Sequence, residues 1–195
     1  KLIYSGGEYF IVGADYVAPT VTIDESVLVG GLSVKTKQSR RSLYNGVKGV
    51  YLAEEENYTL ADYPSITSSA YSAEDGDPVY LDMPFTTNNV RAQRIAKMAL
   101  LQSRQQTQIT IPCNLSALKF KAGDNISVTN AKMGWSEKVF EVTGYQLDLS
   151  SDGTIAVNVD AIETASAIYD WATSDQQDFI TGGEVDLYDG RTVAA

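Results

Sequence analysis

Side chains that usually perform catalysis or hold metals are sparse in this sequence. The chain of 195 residues has one cysteine, Cys113, and no histidine. Without histidine, neither a Ser-His-Asp nor a Cys-His arrangement can form, and zinc has no imidazole ligand. Cys113 follows Pro112 in an alternating segment with no evident base or cation beside it, so we interpret it as a small buried strand residue. The sequence therefore predicts no catalytic residue, no metal site and no cofactor.

Carboxylates offer two further kinds of chemistry, calcium binding and acid–base hydrolysis. Asp75, Asp77 and Asp82 could supply oxygen ligands, but their spacing lacks the ligand series ending in glutamate that an EF-hand loop requires. A hydrolase of the glycosidase type needs two carboxylates about 5–10 Å apart in a cleft, and no motif places such a pair. We interpret these aspartates as loop residues and predict that the protein is not an enzyme.

The formal charge of −10 is concentrated towards the end of the chain. Lys1 to Gly144 contain 14 basic and 15 acidic residues, whereas Tyr145 to Ala195 contain ten acidic residues and one basic residue, Arg191. An acidic end repels nucleic-acid phosphates, which predicts no specific nucleic-acid binding. No apolar run approaches the roughly 20 residues that cross a bilayer, which predicts no membrane span.

One long amphipathic helix is predicted, over residues 88–104. The stretch from Thr86 to Gln106 contains no glycine or proline, and Asn88 or a neighbouring threonine can cap its start. Two stripes follow the helical period. The predicted inner stripe consists of Ala92, Ile95, Met98, Ala99 and Gln102. The basic side consists of Arg94, Lys97, Leu101 and Arg104. This side is either an ordinary solvated face or a subunit interface, and the leucine among the cations favours the interface.

Strands and turns are predicted on both sides of the helix, because apolar and polar residues alternate there. Gly6-Gly7 and Asn45-Gly46 are typical hairpin turns. Residues 53–78 are predicted to be a long polar segment that its tyrosines hold against another surface. The predicted strand segments are residues 2–13, 19–25, 31–52, 79–85, 108–114, 118–130 and 138–162. Residues 108–162 are expected to be almost wholly antiparallel strand and turn.

Several segments occur together in an order that resembles one family. In chain order they read SRRSLYNGVKGVYL, TLADYPSI, MPFTTNNVRAQRIAKMAL, TIPCNLSALKFKAGDNISVTNAKMGW and YDW. Each segment alone is weakly specific. Their order and spacing, from about Gly6 to Trp171, resemble the phage tail-tip, or J-like host-specificity, proteins of long-tailed phages and prophages.

The resemblance implies a structural protein without catalytic residues. Such proteins resemble baseplate hub proteins, in which β-barrel-like domains form a trimeric ring that continues the tail tube and lets DNA and the tape-measure protein pass. The expected role is the hub region of the tail tip, which connects the tube to receptor-binding parts and helps to assemble the tip ring. The implied partners are other tail proteins, with a homotrimer in the full-length protein. The implied location is the virion tail, after expression in the bacterial cytoplasm from a phage or prophage.

The combined expectation is an α+β, mainly β fold, with an antiparallel β-barrel or split barrel of the hub type and one long amphipathic helix. We expect a strand-rich N-terminal part of a truncated domain over 1–45, a barrel-like hub domain over 46–171 and an acidic tail or linker over 172–195. If the chain lines a conduit for DNA, its wall is expected to be acidic, because cations in the lumen would bind phosphate. The predicted lumen-facing acidic residues are Asp148, Asp152, Asp160 and Glu163.

Two other function classes stay open at this stage. The 12 tyrosines suit a β-sandwich module that binds cell-surface glycans, in which aromatic side chains form a stacking platform. A hydrolase is the third class, and paired carboxylates in a cleft are its minimum requirement. An exposed row of tyrosine and tryptophan would favour the glycan-binding module over the tail hub.

Overall fold

A computed structural model describes residues 1–5, 7–39, 43–67, 78–149, 153 and 155–178. One α-helix occurs in these residues, α1 at Asn89–Ser103, close to the predicted 88–104. Asn88 caps it as predicted, because its Oδ1 accepts a hydrogen bond from the Arg91 N–H at 2.9 Å. The strands are β1 (Leu2–Ser5), β2 (Glu8–Ile11), β3 (Val21–Ile23), β4 (Ser33–Lys35), β5 (Gly46–Lys48), β6 (Val50–Ala53), β7 (Thr59–Asp62), β8 (Ile66–Thr67), β9 (Val79–Tyr80), β10 (Gln108–Cys113), β11 (Asn125–Asn130), β12 (Trp135–Leu149) and β13 (Ile155–Glu163). A mainly β fold with one long helix is therefore confirmed.

The chain divides into two compact units that each combine distant parts of the sequence. The first unit contains Lys1–Ser42 and Gln102–Asp170, and the second contains Leu43–Leu101 and Trp171–Ala195. Strand pairing explains the first grouping, since β3 pairs with β11 and β4 pairs with β10. This grouping differs from the predicted division into 1–45, 46–171 and 172–195, and that domain division stays a prediction.

A six-stranded sheet is the centre of the first unit. Its order is β3-β11-β12-β13-β10-β4, and every neighbouring pair is antiparallel except β3 with β11. The ladder ends at β3 and β4, and the predicted barrel or split barrel stays a prediction. β1 and β2 form a separate antiparallel hairpin, as the sequence predicted for residues 2–13.

One face of this sheet carries the core of the first unit. Along β10 the side chains of Ile109, Ile111 and Cys113 are buried, which confirms both the predicted alternation and the structural role of the cysteine. Ile126 and Val128 of β11 are buried as predicted. The remaining buried members are Ile23, Ala117, Phe120, Phe140, Val142, Val157, Val159 and Ala161.

The second unit packs α1 with short strands. β5 lies between β8 and β9, and β6 pairs with β7 as a hairpin. Ala92, Ala96 and Leu100 of α1 are buried in the same cluster as the core residues of these strands. The strand members of this cluster are Val47, Tyr51, Ala53, Tyr63 and Ile66, with Met83 from the segment before the helix.

Three strand predictions need correction. Residues 79–85 were predicted as one strand, but β9 ends at Tyr80. The polar segment 53–78 contains β7 and β8. Ile66 is the one buried residue of these two strands, so no alternating apolar pattern marks them in the sequence. Residues 118–124 were predicted as strand and turn, but the strand begins only at Asn125. The predicted turn at Ala122–Asp124 is present, and Lys121 N–H donates to Asp124 Oδ2 there at 2.8 Å. Backbone bonds of Gly123 and Asp124 to Val142 connect this turn to β12.

The buried stripe of α1 is rotated from the predicted one. Its buried residues are Asn89, Ala92, Gln93, Ala96, Met98 and Leu100. Ile95, Ala99 and Gln102 are only partly buried. The prediction is confirmed for Ala92 and Met98. It missed Gln93 and Ala96, because neither the polar glutamine nor the small alanine gives a strong hydrophobic signal.

We expect the protein to lose stability as the pH rises from about 9 to 12. Burial raises the pKa of Tyr51 to about 12, helped by the negative charges of Glu55 and Glu56. Burial also raises the pKa of Tyr63 to about 12 and that of Cys113 to about 11. These groups hold their protons more tightly in the folded state, so stability is complete below the unfolded-state pKa values and falls as pH rises through the folded-state values.

Tyr63→Phe tests this expectation. The variant removes one ionisable group, so its unfolding free energy should fall less steeply between pH 10 and 12 than that of the wild type. At neutral pH it should lose about 1 kcal/mol, because the Tyr63 hydroxyl donates to the Leu81 carbonyl at 2.9 Å. Urea unfolding at several pH values measures both effects, and identical slopes for the two proteins would contradict the assignment to Tyr63.

Candidate interaction surfaces

The four residues of the predicted basic interface lie in different surroundings. Arg94 is exposed on α1, whereas Lys97 places its Nζ 2.8 Å from Asp175 Oδ2. That hydrogen bond lowers the pKa of Asp175 below its ordinary value. Leu101 lies beside a cavity of about 310 Å³ in the second unit, and Arg104 is half-buried just beyond the helix. Only Arg94 of the four is fully exposed, and their joint role as a subunit interface stays a prediction.

A buried amide holds the segment 171–178 on α1. The side chain of Gln93 is fully buried, and its Nε2 donates to the Gln177 carbonyl at 2.8 Å. Its Oε1 accepts from the Gln177 N–H at 2.9 Å, so one side chain pairs with a backbone as a neighbouring strand would. Nε2 also donates to Asn89 Oδ1 at 3.0 Å. This side of α1 therefore binds a later part of its own chain.

The predicted lumen-facing acidic residues also differ in surroundings. Asp148 is exposed on β12. Asp160 is exposed on β13 and accepts a hydrogen bond from a neighbouring threonine at 2.6 Å. Glu163 forms an ion pair with Lys138 at 3.0 Å, which offsets its charge. Asp152 lies outside the described residues. Whether these residues face a lumen stays a prediction.

The end of the β12–β13 hairpin forms a surface that the sequence reading did not single out. β11 pairs with β12 only as far as Glu141, and β10 pairs with β13 only from Val157. Beyond these positions the hairpin continues to the pair Leu149–Ile155. We call residues 144–149 and 155–156 the arm. No third strand accompanies the arm within the part of the chain that the structure describes.

One face of the arm is apolar and open to solvent. Leu147 is opposite Val157, and Leu149 is opposite Ile155, so these side chains continue the face that carries the core. Their exposed fractions are 51% for Leu147, 74% for Leu149 and 42% for Ile155. The alternating run YQLDL at 145–149 was the available sequence signal. It belongs to the predicted strand segment 138–162, but alternation does not show where the neighbouring strands end.

The described side chains give little support for a metal site or a catalytic nucleophile. Among the described residues, no three metal-ligating side chains come together. Asp75 and Asp77 lie outside these residues, and Asp82 Oδ1 accepts a hydrogen bond from the Val50 N–H at 3.3 Å. Burial raises the pKa of Cys113 to about 11, which keeps its thiol neutral at physiological pH. No helix of the described part is both long and apolar enough to cross a bilayer.

The tyrosines are divided between core and surface. Tyr51 and Tyr63 are buried, whereas Tyr4 and Tyr9 are exposed on the β1–β2 hairpin with ring centres 5.0 Å apart. Tyr58 and Tyr80 are exposed in the second unit. The Tyr4–Tyr9 pair brings two exposed rings together, so among these tyrosines it offers the larger surface for stacking a sugar.

A family model described as "Putative phage tail protein" matches residues 3–144. The chain belongs to this family of phage tail proteins. Membership of the family places the protein in the tail of a virion and gives it a structural role there. The tail-protein resemblance predicted from the sequence is thereby confirmed. No curated protein of known function matches the sequence significantly.

Solved structures of tail proteins share the fold. A chain from the virion of a native gene transfer agent particle aligns over 80% of this chain and 34% of its own length, with 14% identity and a TM-score of 0.61. The tail protein from Neisseria meningitidis MC58 aligns over 84% and 50%, with 15% identity and a TM-score of 0.59. The 43 kDa tail protein of prophage MuSo2 from Shewanella oneidensis aligns over 80% and 47%, with 11% identity and a TM-score of 0.52.

Identities this low establish the likeness of fold alone. The chain also spans only between a third and a half of the length of these three proteins. The tail-protein family therefore defines the class of this chain, and its position within the tail has to be argued separately.

Proposed function

We propose that this chain forms part of the hub of the tail tip, where copies assemble into a ring that connects the tail tube to receptor-binding parts. Family membership over most of the chain carries the proposal. The likeness of fold to a virion component and to two prophage or bacterial tail proteins supports it. The role consists of assembly, so it requires no catalysis and no cofactor.

The proposed ring is a homotrimer in the full-length protein, with other tail proteins above and below it. The six-stranded sheet would contribute to a barrel or split barrel of the hub type, since no described strand pairs with the outer edges of its terminal strands, β3 and β4. Passing DNA would meet the sheet side that carries Asp148 and Asp160. Glu163 lies opposite the buried Phe140, on the core side of the sheet, and is paired with Lys138, so it would contribute little to such a wall.

The exposed part of the basic side of α1 would then point away from the lumen. Arg94 is the residue available for a neighbouring subunit or another tail protein. Lys97 is already engaged by Asp175 and would join an interface only if that ion pair opened. A cation in the lumen would bind phosphate and slow the passage of DNA, which is the physical reason for this orientation.

Antibody labelling of whole virions tests the location. An antibody raised against this chain should decorate the distal tip of the tail in electron micrographs, and preabsorption with the purified chain is the control. Label along the tube or at the head would contradict the hub role. A reconstruction of the tip would test the orientation, which fails if Arg94, Lys97 and Arg104 line the channel while Asp148 and Asp160 face outside.

Glycan binding is the second candidate, and the exposed Tyr4–Tyr9 pair is the observation that favours it. In that case Tyr4→Ala and Tyr9→Ala would abolish binding of the purified chain to host cell-surface polysaccharide. The hub role predicts that neither the wild-type chain nor these variants bind the polysaccharide.

A further inference from the structure

We propose that the arm is a docking edge for an extended segment of another protein, one in which apolar and basic side chains alternate. This inference goes beyond the hub role, because it concerns a foreign strand and holds whether or not copies of the chain form a ring. It rests on the free backbone edge of the arm, its open apolar face and its charge.

The backbone edge is the first part of the argument. β12 pairs with β13 throughout the arm, but the described residues provide no strand on its other side after the Val142 backbone bonds to Gly123 and Asp124. Backbone N–H and C=O groups along this outer edge can therefore pair with an added strand. Addition of an extended segment to an exposed sheet edge is a common mode of peptide recognition.

The apolar face defines half of the partner's pattern. Tyr145, Leu147 and Leu149 alternate along the edge strand, and Tyr145 is anchored by an edge-on contact with Phe120 at 6.3 Å between ring centres. An added strand would place every second side chain over this row. Apolar side chains at those positions would cover Leu147 and Leu149, whose exposure is the largest on this face.

The charge of the arm defines the other half. Gln146 and Asp148 lie on the opposite face, and the exposed Asp148 is the charged residue of the arm. The sequence from Tyr145 to Glu163 contains no lysine or arginine. A basic side chain opposite Asp148 would form a favourable cross-strand pair, whereas a second acidic arm would be repelled. Charge complementarity therefore favours a basic strand over pairing of two arms.

Two synthetic peptides of about six residues serve as probes, one alternating valine and lysine and the other alternating valine and glutamate. Hydrogen exchange of the whole chain is measured with each. The valine–lysine peptide should protect the amides of residues 144–149, and the valine–glutamate peptide should leave them unchanged. Equal protection by both peptides, or binding of the basic peptide without protection of these amides, would overturn the proposal.

Variants make the test specific to the arm. Asp148→Lys should weaken binding of the valine–lysine peptide by about tenfold, since it removes one attraction and adds one repulsion. It should also let the valine–glutamate peptide bind. Asp62→Lys is the matched control, because Asp62 is an exposed aspartate on β7 in the other unit, and its substitution should change neither affinity. The same change with both variants would mean that only net charge matters, which would also overturn the proposal.

A double variant, Leu147→Ser with Leu149→Ser, tests the apolar face. Both side chains are largely exposed, so the fold should persist while binding of the valine–lysine peptide is lost. Undiminished binding would refute the role of this face. Analytical ultracentrifugation addresses a second copy as occupant. The chain could self-associate, and both the double variant and Lys35→Glu, on the terminal strand β4, could abolish that association. In that case the occupant of the arm would be another copy of the chain, not a foreign segment.

Discussion

Replacing Gly49 with alanine should destabilise the second unit by about 3 kcal/mol. Gly49 separates β5 from β6, and a Cβ at this position would lie 2.7 Å from the carbonyl carbon of Leu81 and still closer to its oxygen. Leu81 cannot easily retreat, because its N–H donates to the Lys48 carbonyl at 2.8 Å. The Gly49 carbonyl itself accepts from the Tyr63 N–H at 3.3 Å. The added methyl group therefore meets backbone that is fixed on both sides.

Urea unfolding of the Gly49→Ala variant measures this effect. Each unit contains one tryptophan, Trp135 in the first and Trp171 in the second, so a Trp135→Phe background reports on the second unit alone. Gly31→Ala is the control, since no atom lies within 4 Å of a Cβ there. Gly31 lies in the first unit, so this variant is followed through Trp135 in a Trp171→Phe background, and its effect should stay within about 0.5 kcal/mol. An equally small loss of stability in the Gly49 variant would show that the approach of Leu81 to Gly49 is not rigid.

The contact between Gly49 and Leu81 could not be predicted from the local sequence. Residues 47–51 read as one alternating strand, and the burial of Val47 and Tyr51 confirms that pattern. The break at Gly49 depends on Leu81, which lies more than thirty positions later in the sequence. Local periodicity predicts which residues are buried, but it does not predict which distant backbone segment packs against them.

The helix shows the same division between local and distant information. Its ends were predictable, because the cap at Asn88 and the absence of glycine or proline are local features. Its buried stripe was not, because Gln93 is satisfied by Gln177, which lies 84 positions away. The local sequence around a buried glutamine does not distinguish it from an exposed one, because burial depends on a distant hydrogen-bond partner. Lys97 was likewise predicted on a side that is either solvated or a subunit interface, whereas Asp175, 78 positions away in the sequence, pairs with it.

The arm was partly visible in the sequence. Val142 and Leu147 are five positions apart and cannot share a face in a regular strand, yet both point to the core side. A bulge between Val142 and Gly144 resets the alternation, so Tyr145, Leu147 and Leu149 return to that side. The sequence signal for this change of phase is that the apolar residues after Gly144 fall at odd positions, 145, 147 and 149, whereas Phe140 and Val142 fall at even ones. Leu147 and Leu149 are exposed because β10 and β11 end before them. The sequence of the β12–β13 hairpin does not predict where those two strands end.

Phe140→Ala should destabilise the first unit by about 3–5 kcal/mol. Phe140 of β12 is fully buried at the centre of the six-stranded sheet, opposite Ile126 on one side and Glu163 on the other. The Trp135 ring lies 5.3 Å from its ring centre and would lose its main aromatic neighbour. Removing the ring both loses its transfer free energy and leaves a cavity, because the paired strands limit how far the core can collapse.

The matched control is the same substitution at Phe85, whose side chain is 98% exposed. Phe85→Ala should change the unfolding free energy by no more than about 0.5 kcal/mol. Urea titrations followed by Trp135 fluorescence in a Trp171→Phe background isolate the first unit for Phe140→Ala. Phe85 lies in the second unit, so Phe85→Ala is followed by Trp171 fluorescence in a Trp135→Phe background. The buried variant should lose far more unfolding free energy, relative to its own background, than the control loses relative to its own. A loss below about 1 kcal/mol at Phe140 would mean that the loops covering the sheet collapse into the space, and that this core tolerates cavities more readily than closely packed interiors do.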